Sequence, residues 1–116
     1  MLHRISFLFL LCFFGRLDAC FSKTLINIKY HDRSIDISNN KLSRQSLKRS
    51  SFVKEMYYDK IAKYLIVKLS DTYYHYCKIP PSEINKWLKS RSLGSFYNRN
   101  IRGSYSCQGK FVGEYT

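Results

Sequence analysis

Apolar and polar positions alternate with a period of two in three consecutive runs near the middle of the chain. That period marks strands with one buried face. The runs are 51–58 (SFVKEMYY), 64–69 (YLIVKL), in which Leu65, Val67 and Leu69 face one way, and 72–78 (TYYHYCK). Only short turns, 59–63 and 70–71, separate them, which implies an antiparallel meander. Pro80 and Pro81 then stop the ladder and preset a helix start. The helix is expected over 82–90, where Ile84, Trp87 and Leu88 fall at i, i+3, i+4 spacing and form a stripe that lies on the sheet.

On either side the pattern changes. Gly94 fits a helix C-terminal position of positive φ, and 95–105 (SFYNRNIRGSY) is ordered by its aromatics rather than by a period. Residues 110–115 (KFVGEY) read as a short edge strand. Upstream, Ile26, Ile28 and Tyr30 alternate on one side, a polar break follows at 31–34, and Ile35 and Ile37 resume. This predicts a hairpin over 23–38 that either extends the main sheet or sits beside it. Residues 39–50 lose all periodicity and carry Lys41, Arg44, Lys48 and Arg49 without an acid, as a mobile basic linker would. The expected fold is α+β: a three-stranded antiparallel meander packed by one short helix, an aromatic-rich segment after it, and an extra N-terminal hairpin.

The first nineteen residues follow a different logic. His3 and Arg4 precede an apolar run, 5–15 (ISFLFLLCFFG), and residues 16–19 are polar and end in Ala19. This is the order of a secretory signal peptide, and the run is too short for a bilayer span of about twenty residues. Cleavage after Ala19 leaves Cys20 first. Leu17, Ala19 and Cys20 match a bacterial lipobox while Asp18 departs from it, so lipidation of Cys20 and plain cleavage are the two outcomes. The division expected is 1–19 signal peptide, 20–49 hairpin and basic linker, 50–116 main domain, in an exported protein.

Charge adds a constraint on partners. The 116 residues hold 20 Lys+Arg against 8 Asp+Glu, a formal net charge of +12, together with ten Tyr and eight Phe. Such a balance points to an anionic contact: nucleic acid or another polyanion, an acidic protein, or an anionic membrane surface. The aromatics suit either a β-rich core or a surface that stacks on bases.

Ser50-Ser51 with Val53, Met56 and Tyr58-Asp59, then Leu65, Val67 and Leu69, Tyr74-His75-Tyr76, Ile79-Pro80, and finally Ser92, Gly94, Phe96, Asn98, Ile101-Arg102 and Tyr105 occur in one order and spacing. In these residues the chain resembles the KTSC domain, named after the C-terminus of some lysyl-tRNA synthetases. The resemblance covers about 50–105. It implies a small stand-alone or appended module with no assigned activity, and RNA binding through the domain's company with a tRNA enzyme.

No phosphate-cradling glycine loop, acid pair or serine triad is present. His31 and His75 lack zinc-site spacing, and His75 and Cys77, two apart on one strand face, lack a third group to orient a catalytic pair. The expectation is a binding module with no metal, no cofactor and no catalytic residue. Lys86, Lys89, Arg91, Arg99 and Arg102, with no acid between them, are the candidate polyanion contacts. Tyr74 and Tyr76 are core residues if their face is the helix-covered one, and a stacking platform if it is open. Export places Cys77 and Cys107 in an oxidising compartment, as a disulfide or as two partly buried thiols.

Overall fold

The computed structural model describes residues 23–31, 34–107 and Tyr115. The signal-peptide reading, Cys20 and almost all of the edge strand expected at 110–115 lie outside the described residues.

Among the described residues six strands and two helices follow in order: β1 (Leu25–Asn27), β2 (Ser34–Asp36), β3 (Ser43–Arg44), β4 (Val53–Asp59), β5 (Tyr64–Leu69), β6 (Thr72–Tyr76), α1 (Pro81–Lys89) and α2 (Leu93–Phe96), the last continued by a π-helical turn, Tyr97–Ile101. The main sheet has four antiparallel strands in the order β3-β4-β5-β6, and β1 and β2 form a separate antiparallel pair. The meander is therefore present, but with a fourth strand at its edge. That strand, β3, lies within the segment read as a mobile linker and pairs Ser43 with Tyr58 and Arg44 with Tyr57. Two residues are too few to show a period.

A register shift between Val53 and Glu55 leaves Lys54 as an extra, exposed residue in β4. A bulge of this kind lets residues three apart share a face. Val53, Met56 and Tyr58 accordingly join Leu65, Val67 and Leu69 beneath α1, where Ile84, Trp87, Leu93, Tyr97 and Ile101 complete one buried cluster. The Trp87 indole N–H donates to the Leu93 carbonyl at 3.0 Å, and the Tyr58 hydroxyl donates to the Ile79 carbonyl, so these two polar aromatics are satisfied inside.

The opposite face is buried as well. Tyr57, Tyr64 and Ile66 meet Ile28, Ile35, Ile37 and Leu42 from the N-terminal segment, with Cys107 and Tyr115 from the chain's end. The hairpin sits beside the main sheet and joins it through one parallel bridge, Ile28 to Tyr73. Tyr30 does not follow Ile26 and Ile28 inward: it is 91 % exposed, at φ 67°. Its left-handed backbone turns the chain out of strand geometry before the alternation is complete.

Gly94 also departs from expectation. It lies inside α2, and α1 ends instead at Ser90, in extended backbone at φ −69° and ψ 161°. Ser92 caps α2, its hydroxyl oxygen accepting from the Ser95 N–H at 3.2 Å.

Candidate functional site

The five cations singled out by sequence all fall on the helical side of the sheet. Lys86 and Lys89 occupy the last turn of α1, where a positive charge also complements the helix dipole. Arg91 lies in the connector, Arg99 in the π-helical turn and Arg102 just after it. All five are exposed. Among the described residues, the one ion pair to a carboxylate is Lys68 with Glu55 at 3.8 Å, so none of the five is committed to an acid. Lys48 reaches in from the N-terminal side to donate to the Ser90 carbonyl, adding a cation at the end of α1.

Tyr74 and Tyr76 lie on the helix-covered face, packed against the α1 cluster, rather than on an open face. The Tyr76 and Tyr97 hydroxyls are hydrogen-bonded at 2.6 Å. Tyr73, His75 and Cys77 point the other way. Tyr73 and Tyr57 both donate to Glu55 Oε1, at 2.9 and 2.8 Å. Burial resists ionisation of Glu55, yet these two hydroxyls and the Lys68 and Arg44 cations outweigh it and hold the carboxyl below its ordinary range.

His75 is strongly perturbed. Its Nδ1 is 2.8 Å from the Tyr64 hydroxyl, and its ring meets His31 edge-on at 5.5 Å. Burial, then the nearby His31, pushes its pKa down to about 4, so it is neutral at pH 7. Burial pushes the Tyr64 hydroxyl up, so it stays protonated. Cys77 and Cys107 are joined by a disulfide with Cα atoms 4.8 Å apart, across a sequence separation of 30. A cavity of about 270 Å³ opens beside it, lined by residues 29–31, 74–76, 103, 104, 106 and 107. A second, larger groove of about 820 Å³ runs between β3, the β4–β5 turn and the start of α1, past Lys41, Lys60 and Asn85. Neither holds any of the five cations. Among the described residues no three His, Cys, Asp or Glu side chains converge as metal ligands would.

A family model described as the KTSC domain matches residues 49–105. These residues form a KTSC domain. The crystal structure of a KTSC domain protein from Yersinia pestis is similar at 23% identity and a TM-score of 0.50, covering 55% of this chain and 90% of that one. No curated protein matches. Twelve of the twenty-one signature residues quoted above build the α1 cluster: Val53, Met56, Tyr58, Leu65, Val67, Leu69, Ile79 and Ile101 are buried in it, and Tyr74, Tyr76, Phe96 and Tyr105 pack against it. Much of the KTSC signature thus encodes the core. The 270 Å³ cavity is composite, with 74–76, 103 and 104 inside the KTSC match and Lys29, Tyr30, His31, Ser106 and Cys107 outside it. Sequence reading missed Lys29 and Tyr30 because nothing in their local pattern ties them to β6.

Proposed function

We propose that this protein is an exported, non-enzymatic binding module that holds a polyanion, with a nucleic-acid backbone as the ligand, on the helical side of its KTSC domain. One observation carries the reading: Lys86, Lys89, Arg91, Arg99 and Arg102 are all exposed there, and no carboxylate among the described residues engages them. Cations free of acids release counterions when they meet phosphates, and that release drives binding. Half-buried Phe96, stacked on Trp87 at 6.0 Å, lies among them. The 77–107 disulfide supports export, because such bridges persist in oxidising compartments.

Binding of single-stranded RNA or DNA is expected to be sequence-tolerant and to weaken by more than about tenfold between low and physiological salt. The variant Arg91→Glu, Arg99→Glu, Arg102→Glu should bind at least tenfold more weakly and lower the log–log salt slope by about 2 units, at roughly 0.7 per lost phosphate contact. Anisotropy titrations with RNA, DNA, heparin and anionic vesicles read both quantities. Equal binding by the variant would show the cluster to be a solvated face. Binding to vesicles alone would transfer the reading to anionic membrane.

A protein-partner reading draws on Ile61, 94 % exposed at the rim of the 820 Å³ groove with Ala62 and Ile84. Apolar contact of that kind is nearly indifferent to salt. The same titrations therefore separate the two.

A further inference from the structure

The outer edge of β6 is clamped at two points. The Lys29 N–H donates to the Tyr73 carbonyl at 2.9 Å, and the Cys77 N–H donates to the Tyr105 carbonyl at 2.8 Å. Peptide groups alternate direction along a strand, so those of residues 73, 75 and 77 face the same edge. The main-chain N–H and C=O of His75 therefore open into the gap between the clamps, which is where the 270 Å³ cavity lies. The gap is one residue wide. An added strand does not fit it; a small molecule does.

Its chemistry is one-sided. The lining carries a cation, Lys29, the polar residues Tyr30, Ser104 and Ser106, and no carboxylate among the described residues. The Lys29 ammonium sits over two rings, 5.2 Å from the Tyr30 centroid and 6.0 Å from that of Tyr74. Those contacts hold the charge at the cavity mouth without neutralising it. Tyr30 itself is 91 % exposed in a left-handed conformation that a tyrosine rarely adopts. A large ring held outward at such a cost is a feature of ligand clamps rather than of cores. His75 lines the same cavity, and its Nδ1 is engaged by the Tyr64 hydroxyl.

We infer that this cavity binds a phosphate monoester bearing a flat ring, the nucleoside-monophosphate class, with the phosphate at Lys29 and the main-chain N–H of His75 and the ring on Tyr30. The volume matches one such molecule and not a polymer. The site is separate from the helical cations and stands or falls without them. His75 gives it a pH response. The titratable groups facing His75 are Tyr64 from β5 and His31 from the segment after β1, and Lys29 lines the same cavity. Burial and His31 keep the ring neutral, and an anion seated beside it favours the protonated form, so an anion binds more tightly as pH falls from 7 toward 5.

The test uses the protein with its disulfide intact and three probes: adenosine 5′-monophosphate, adenosine, and sulfate, which keeps its charge across this pH range. Calorimetry gives affinity, and the His75 ring resonances report occupancy. Adenosine monophosphate is expected to bind more tightly than adenosine or sulfate and to move the His75 signals. Lys29→Ala should weaken it about tenfold or more, the value of one charge-assisted contact, with the melting temperature unchanged. Tyr30→Ala should weaken the nucleotide but not sulfate, and sulfate affinity should rise toward pH 5. Unmoved His75 resonances at millimolar nucleotide, equal affinity for adenosine and its phosphate, or full affinity in Lys29→Ala would each overturn the proposal.

Discussion

Burial decides the chemistry of His75, and this has a consequence for stability that pH can expose. The ordinary value of 6.5 applies to the unfolded chain, while burial and then His31 bring the folded value to about 4. The unfolded state therefore takes up the proton first, and stability is expected to fall as pH drops from about 6.5 to about 4. His75→Gln, which retains a partner for the Tyr64 hydroxyl, lacks this component, so its melting temperature should decline less than that of the native sequence across the same window. Parallel profiles would show that His75 does not feel its burial. Glu55 acts lower on the scale: its folded value is depressed, so its contribution is present above its ordinary 4.5 and is lost as pH falls through the depressed folded value. The two residues, on β4 and β6 with β5 between them, respond in separate ranges.

At the level of elements, α2 and its π-helical continuation carry the largest difference between expected and observed structure. Trp87 explains it, since its indole N–H captures the Leu93 carbonyl and its ring stacks on Phe96 at 6.0 Å, which pulls the segment after α1 back onto the helix. Gly94 inside α2 has no left-handed role, and a β-carbon there would meet Phe52 at 3.7 Å, an ordinary contact. Gly94→Ala should accordingly stabilise the protein by roughly 0.5–1 kcal/mol, read as a raised urea midpoint. A loss of 1 kcal/mol or more would mean that the position needs glycine's conformational freedom after all. The same logic applies in reverse at β3, where neither Ser43 nor Arg44 is buried and tertiary pairing with Tyr57 and Tyr58 alone makes a strand.

For the whole molecule, the main point is that the KTSC sheet has two buried faces and that the second is covered from outside the family match. Ile28, Ile35, Ile37 and Leu42 come before residue 49, and Cys107 and Tyr115 come after residue 105. Tyr115 stacks on Tyr64 with ring centroids 5.1 Å apart and donates its hydroxyl to Asp59, whose other oxygen caps the β4–β5 turn through the Ile61 and Ala62 N–H groups. The N-terminal segment is thus core, not linker. Ile35, fully buried, should cost about 2–5 kcal/mol when replaced by Ala, and denaturant unfolding measures it. A change within about 0.5 kcal/mol would instead mark the segment as dispensable.

What the sequence determined by itself is local. Period-two alternation located β4, β5 and β6, paired prolines set the start of α1, and alternation put Leu65, Val67 and Leu69 on one face because neighbours on a strand point opposite ways. The KTSC signature was legible for the same reason, since core positions at fixed spacing leave a trace in one dimension. The tertiary structure alone decided which distant residues meet. A two-residue strand has no period to read, a left-handed Tyr30 breaks an alternation that looked continuous, and the cavity joins the turn after β1 to a strand and a tail more than forty residues further along the chain. Its members share no spacing, only the packing of hydrophobic faces that brings the two ends of the chain over one side of the sheet.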